Sequence, residues 1–108
     1  MRKLKGFERT HLRGLAHKLK PVIQIGKNGL TEEVVQSICD ALAARELIKV
    51  KFNEFKEEKK PISTEIEMKA KCEMVGMIGN VSIFFREQPD EAKRRIKLPV
   101  KGRKRERP

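Results

Sequence analysis

A short segment that holds two glycines and a lysine is the part of this sequence best suited to contact another molecule. It consists of Gly26, Lys27, Asn28 and Gly29. Two glycines three residues apart permit a sharp turn and the close approach of a ligand, because neither carries a Cβ atom. Thr31 can cap a helix that starts just after the segment, and the amides of that helix N-terminus would favour an anion. Together with the charge of Lys27, this arrangement predicts a contact with phosphate groups, although such turns also occur for purely conformational reasons.

The segment does not have the spacing of a mononucleotide or dinucleotide loop. Those loops read GxxxxGK[ST] or GxGxxG, and neither pattern occurs here. A GxxG loop is what KH domains use to clamp a nucleic-acid backbone. His11 and His17 are six residues apart and do not share a helix face, and no Ser or Cys lies in a nucleophile motif. We therefore expect no enzyme activity, no cofactor and no small-molecule substrate; a small hydrolase is the competing class.

The positive charge is concentrated at the two ends of the chain. The 108 residues carry a formal charge of +11, which divides into +6 for residues 1–20, −3 for 21–92 and +8 for 93–108. Basic ends attract polyanions, because each neutralised phosphate releases counterions. Nucleic acid is the expected partner, with a membrane surface or no specific partner as alternatives. No apolar run could span a membrane, and two isolated cysteines are typical of a reducing compartment, so we expect a cytoplasmic protein. We also expect a monomer.

Hydrophobic periodicity predicts the first elements of the chain. A helix is expected from Phe7 to about Leu19, ended by Pro21. Its inner stripe would consist of Leu12, Leu15, Ala16 and Leu19. Residues 22–25 are short and almost continuously apolar, which predicts a strand buried on both faces or central in its sheet. Thr31 would then cap a second helix that runs to about Arg45.

The remaining elements complete a small α/β domain. Residues 47–52 alternate, with Ile48, Val50 and Phe52 facing inward and Lys49 and Lys51 outward. A charged loop over 53–60, a third helix from Pro61 and a Gly-first hairpin at residues 79–80 follow. The order α-β-α-β-α-β-β predicts a mixed four-stranded sheet packed with helices, with right-handed crossovers between parallel strands and a final antiparallel hairpin.

The two basic ends of the chain are expected to lie outside the folded domain, as a basic segment of residues 1–7 and a basic tail of 88–108. Residues 1–6 are expected to be flexible. The tail should be disordered when free, because a dense run of like charges cannot bury enough apolar surface to fold.

Five segments resemble the CRM domain, the YhbY-like family of RNA-binding proteins: residues 12–17, 20–22, 25–31, 46–51 and 78–86. The resemblance spans about residues 8–87, which it implies to be the folded domain. It implies a compact α/β domain related to the C-terminal domain of bacterial translation initiation factor 3, and binding of structured RNA. Stand-alone bacterial and archaeal members are associated with precursors of the large ribosomal subunit. Plant members with several such domains assist intron splicing.

The resemblance also implies where RNA is bound. The family's GxxG loop corresponds to residues 26–29, and its basic surface to Arg13, Lys18 and Lys20. Phe85-Arg86 stands where the family often has Tyr-Arg, so any hydroxyl contact there is lost. With the outward lysines of residues 47–52, the expected RNA-binding set is Gly26, Lys27, Asn28, Gly29, Arg13, Lys18, Lys20, Lys49 and Lys51. The expected role is a grip on the RNA backbone in ribosome assembly, with ribosomal RNA as partner; a splicing factor and a protein-interaction module are the alternatives.

Overall fold

The computed structural model describes residues 3–99, which form three α-helices and a four-stranded β-sheet. In chain order the elements are α1 (Gly6–Ala16), β1 (Ile23–Ile25), α2 (Glu32–Arg45), β2 (Leu47–Phe52), α3 (Lys59–Ala70), β3 (Glu73–Ile78) and β4 (Val81–Phe85). Short 3₁₀ turns at Lys56–Glu58 and Glu91–Lys93 precede α3 and follow β4. The α/β class and the element order are those predicted from the sequence.

The sheet is mixed, with the strand order β1-β2-β4-β3. β1 runs parallel to β2, with Ile25 opposite Phe52, whereas β4 is antiparallel to both β2 and β3. The connection from β2 through α3 to β3 therefore skips the position that β4 fills. β3 and β4 form the predicted hairpin, and Gly79 at its turn has a φ of +58°, as a turn with glycine in first place requires.

Helices cover both faces of the sheet. α2 and α3 lie on one face, and α1 lies on the other. The buried cluster on the α2–α3 side comprises Ile25, Ile38, Leu42, Ile48, Val50, Phe52, Ile66, Ala70 and Phe84. The cluster on the α1 side comprises Leu4, Leu12, Ala16, Leu47, Val75, Ile83 and Phe85. Because each large apolar side chain contributes roughly 1.5–3 kcal/mol when fully buried, the two clusters account for most of the driving force for folding.

α1 is shorter than predicted and buries a different face. It ends at Ala16 rather than near Leu19, because the Leu19 N–H bonds to the Ala16 carbonyl at 2.9 Å in a tighter, i→i+3 turn. Its buried residues are Glu8, Leu12 and Ala16, which are spaced by four. Leu15 and Leu19 were predicted to face the core and are instead 42% and 38% exposed.

β1 is an edge strand, which corrects the prediction of a central or doubly buried one. Only Ile25 is fully buried in it, Ile23 is half-buried, and Gln24 is exposed. Val22 belongs to the apolar run but precedes the strand. It is 40% exposed and lines a surface groove instead of the core. Short apolar runs do not reveal which of their residues lie in the strand.

The N-terminal segment contributes to the core, contrary to the prediction of a flexible start. Leu4 is only 4% exposed and packs in the cluster on the α1 side. Its backbone N–H donates to Glu73 Oε1 at 2.8 Å, which ties the segment to β3. The packed unit therefore begins before residue 8.

Residues 88–99 lie against the domain through the buried side chain of Glu46. This carboxylate is 1% exposed and accepts backbone N–H bonds from Gln88 at 2.7 Å, Arg95 at 2.7 Å and Ile96 at 2.9 Å. Ile96 and Leu98 also pack against the α1-side cluster. The predicted disorder from residue 88 is therefore wrong for residues 88–99; the remainder of the predicted tail, residues 100–108, lies outside the described residues.

Candidate nucleic-acid interface

Residues 26–29 form a closed turn with two polar side chains at its tip. The Gly29 N–H donates to the Gly26 carbonyl at 3.0 Å, and Gly29 has a φ of +70°, which only glycine adopts without strain. A Cβ atom at Gly26 would meet nothing within 4 Å, so the first glycine leaves open space. Lys27 and Asn28 are exposed. The turn can thus present a cation and an amide to a ligand that approaches the backbone closely.

The N-terminus of α2 has the predicted cap, but carboxylates of the chain itself already compensate the positive end of the helix dipole. Thr31 Oγ1 accepts the Val34 N–H at 3.1 Å. Glu32 and Glu33 are exposed in the first turn, where they complement the helix dipole from within the chain. A phosphate placed on the helix amides would meet these two carboxylates. The exposed Lys27 is therefore the stronger contact for an anion at this end of the domain.

A second loop, residues 53–58, lies directly beside the first. β1 and β2 are parallel neighbours, so the loops that leave their C-terminal ends meet at one edge of the sheet. The N–H groups of Asn53 and Glu54 both donate to the Ile25 carbonyl, at 3.0 and 3.2 Å. Phe55 follows, and its ring carbon Cε2 lies 3.5 Å from the position that a Cβ atom on Gly29 would take.

Four of the predicted lysines lie along β2 and the segment that precedes β1. Lys49 and Lys51 project from β2 on the face that carries α1, with Lys51 exposed and Lys49 half-buried. The Lys49 ammonium donates to the Leu19 carbonyl at 2.9 Å. Leu19 stands between Lys18 and Lys20, which are both exposed. These lysines form a row that leads toward the 26–29 turn.

Arg13 does not join this row. It extends from α1 to β3, at the sheet edge opposite to β1. Its Nη1 donates to the Val75 carbonyl at 2.8 Å, and its Cδ lies 2.6 Å from the position of a Cβ atom on Gly76. Arg13 is exposed, and its contacts lie with β3, away from the turn.

Comparison with known proteins identifies the family of this domain. The family model for the CRS1/YhbY (CRM) domain matches residues 4–86. The chain belongs to the CRM family. The probable RNA-binding protein YqeI of Bacillus subtilis is 33% identical over 97 residues, which are 89% of this chain and 99% of that protein. An RNA-binding protein of Haemophilus influenzae is 42% identical over 95 residues, which are 87% of this chain and 93% of its own.

A solved structure agrees with the family assignment. The solution structure of SAV1595 from Staphylococcus aureus matches with a TM-score of 0.75 at 36% identity, and the match covers 90% of this chain and all of that one. The matched family region starts at residue 4, which agrees with the burial of Leu4 in this CRM domain.

The CRM domain also carries an apolar groove with a basic rim. The groove has a volume of about 590 Å³ and lies between the end of α1, the segment before β1, the start of β2 and residues 95–97. Its apolar lining includes the exposed side chains of Leu15, Leu19 and Val22. Basic or titratable side chains at the groove are His11, Lys20, Arg45, Arg95 and Lys97. The sequence reading missed this groove, because it assigned Leu15 and Leu19 to the core.

The two histidines and Cys72 differ in their surroundings. His11 and His17 are exposed. Burial raises the pKa of the Cys72 thiol to about 12, with the Glu67 carboxylate adding to the effect, whereas a cysteine nucleophile needs a lowered pKa. Between residues 3 and 99, no group of three or more His, Cys, Asp or Glu side chains could hold a metal ion. In the same part of the chain, no helix is long and apolar enough to cross a membrane.

Sequence reasoning missed two residues that shape this end of the domain and its flank. Phe55 stands in a segment predicted only as a charged loop; an aromatic residue among charges was the available signal. Glu46 lies in one of the segments that resemble the family, and nothing in its sequence neighbourhood indicates a buried carboxylate. Both residues have a positive φ, +57° for Phe55 and +66° for Glu46, which composition and periodicity do not reveal.

Proposed function

We propose that this CRM protein binds structured RNA by seating a backbone phosphate on the turn of residues 26–29. Lys27 supplies the charge, Asn28 a polar contact, and the open space at Gly26 permits the backbone to come close. Lys18, Lys20, Lys49 and Lys51 extend the attraction along the neighbouring strand. The observation that carries the proposal is the exposed lysine on a glycine-bracketed turn at the head of that row, in a chain whose relatives bear the name RNA-binding protein.

The proposed biological role is assembly of the large ribosomal subunit, in the cytoplasm, by a monomer without enzyme activity or cofactor. Cross-linking the protein to RNA in cells and sequencing the bound fragments tests this role. Fragments from precursors of large-subunit ribosomal RNA would support it. Fragments concentrated in introns would support the splicing alternative instead.

The grip itself is tested with the pair of substitutions Lys27→Ala and Asn28→Asp. Because both side chains are exposed, we expect the melting temperature to stay within about 2 °C, since surface changes usually alter stability by under about 0.5 kcal/mol. RNA affinity should fall by about tenfold or more, and the slope of log affinity on log salt should shrink by about 1.

A matched control separates the turn from net charge. Lys69→Glu makes the same change of two charge units on the exposed side of α3, where Lys69 pairs with Glu65 at 2.8 Å. We expect this control to lower affinity far less than the double variant. Equal losses in the two proteins would mean that only overall charge matters, and the assignment to the turn would be abandoned.

The groove favours a second candidate function, the binding of an acidic protein segment with aliphatic residues. Its apolar lining is aliphatic, and its rim is basic. Leu15→Ser with Val22→Ser should release the protein from pre-ribosomal particles while its affinity for free RNA stays unchanged. An equal loss for free RNA would place the groove within the RNA-binding surface.

A further inference from the structure

Phe55 is the exposed member of the five phenylalanines, all of which lie within the described residues. Phe52, Phe84 and Phe85 are fully buried, and Phe7 is half-buried, whereas Phe55 is 41% exposed. The chain contains no Tyr and no Trp. Phe55 is therefore the most exposed benzene ring of this domain; the other exposed aromatic side chains among residues 3–99 are the imidazoles of His11 and His17.

The backbone holds Phe55 at the surface in an unfavourable conformation. Its φ of 57° and ψ of 36° are left-handed, a region that bulky residues avoid. The surrounding hydrogen bonds fix this conformation: Glu54 N–H donates to Ile25 O at 3.2 Å, and Glu58 N–H donates to Phe55 O at 3.0 Å. Such outliers persist where the neighbouring structure over-determines them, and they concentrate at ligand-binding sites.

The ring lies against the turn that the proposed function assigns to phosphate. Its Cε2 and Cζ atoms are 3.5 and 3.7 Å from the Cβ position of Gly29. Lys27 is two residues before Gly29, so their Cα atoms are at most about 7.6 Å apart. A nucleotide whose phosphate sits at Lys27 is therefore close enough for its own base, or the next, to reach the ring.

We propose that Phe55 is a stacking platform for an unpaired base of the bound RNA. The inference rests on the proposed function and deepens it, because it adds a base contact to a grip on the backbone. Stacking on a single aromatic ring tolerates any base, since every base presents a π-face. The site thus favours RNA with an unpaired nucleotide beside a structured element, without selecting one sequence.

The absence of tryptophan from the chain provides a direct assay. Phe55→Trp introduces the protein's single indole at the proposed platform, and Met68→Trp places it instead at a control position on α3, where Met68 is 74% exposed. The probe is an RNA hairpin with a 3′ extension of six adenosines. Its counterpart has the same extension built from abasic nucleotides, which keep the phosphates and lack the bases.

We expect the adenosine extension to quench the fluorescence of Phe55→Trp at saturation, and the abasic extension to leave it unchanged. Met68→Trp should respond to neither. Phe55→Leu, which keeps an apolar contact with Gly29, should weaken binding of the adenosine probe by about fivefold to hundredfold. It should leave binding of the abasic probe within about twofold.

The outcomes separate this inference from the function on which it rests. Binding of both probes with no quenching, or an equal loss of affinity for both in Phe55→Leu, would show that Phe55 only supports the turn and would overturn the stacking role. Failure of the wild-type protein to bind either probe at low salt would overturn the proposed function itself. Melting curves of the variants confirm that each is folded under the assay conditions.

Discussion

Replacing Glu46 by alanine should detach residues 88–99 from the domain and destabilise the fold. The carboxylate is buried and accepts three backbone N–H bonds of 2.7 to 2.9 Å. A hydrogen bond to a charged group contributes roughly 1.5–3 kcal/mol net, but the freed amides regain water and the freed segment regains entropy. We therefore expect the free energy of unfolding to fall by about 2–4 kcal/mol, below the sum of the three bonds.

Replacing Glu46 by glycine tests how much the backbone conformation at this position costs. Glu46 has a φ of +66° at the end of α2, and its own N–H bonds to the Leu42 carbonyl at 2.8 Å. Alanine keeps the strain of that φ, whereas glycine removes about 1 kcal/mol of it. Glu46→Gly should therefore be more stable than Glu46→Ala by about that amount, although both lose the carboxylate.

Urea unfolding measures these differences, and hydrogen exchange locates them. In the wild-type protein the amides of Arg95 and Ile96 should be protected, and in both variants they should exchange much faster. Glu65→Ala, which removes an exposed carboxylate paired with Lys69, serves as the control and should change stability by less than about 0.5 kcal/mol. Unchanged protection of the two amides in Glu46→Ala would refute the anchoring role.

Two further predictions concern the interior. Ser63 and Ser82 are fully buried with hydroxyls 2.9 Å apart, so either serine-to-alanine change should cost about 1–3 kcal/mol and the double change less than the sum; strictly additive losses in urea unfolding would argue against a coupled pair. Cys72 has a pKa raised from 9.0 to about 12, chiefly by burial, so the unfolded chain releases this proton first as pH rises. The unfolding free energy should then drop by up to about 1.4 kcal/mol per pH unit between pH 9 and about 12, relative to Cys72→Ala; parallel pH profiles of the two proteins would contradict this.

The sequence predicted those parts of the fold in which residues adjacent in sequence determine whether a side chain is buried or where an element begins and ends. The alternation over residues 47–52 placed Ile48, Val50 and Phe52 in the core, and all three are buried. Thr31 caps α2, and residues 79–80 form the hairpin turn, because side-chain chemistry and glycine freedom act within a few residues.

The features that could not be predicted depend on contacts between residues far apart in sequence. Gln88, Arg95 and Ile96 are bonded through Glu46, which is more than 40 residues away, so their order is invisible to a local reading of charge. The same holds for the site. The turn of residues 26–29 was evident from its glycines, whereas Phe55 comes to lie beside Gly29 only because β1 and β2 are parallel neighbours.

The contact of Arg13 with β3 has a consequence for the behaviour of the protein in solution. β3 is an edge strand of the sheet, and its pairing with β4 shifts register between Met74 and Gly76. The guanidinium of Arg13 donates a hydrogen bond to the Val75 carbonyl at this irregular point. A strand of another molecule would have to displace that side chain before it could extend the sheet. The opposite edge, β1, is only three residues long. Both borders of the sheet are thus protected against edge-to-edge aggregation, one by an arginine and the other by its brevity.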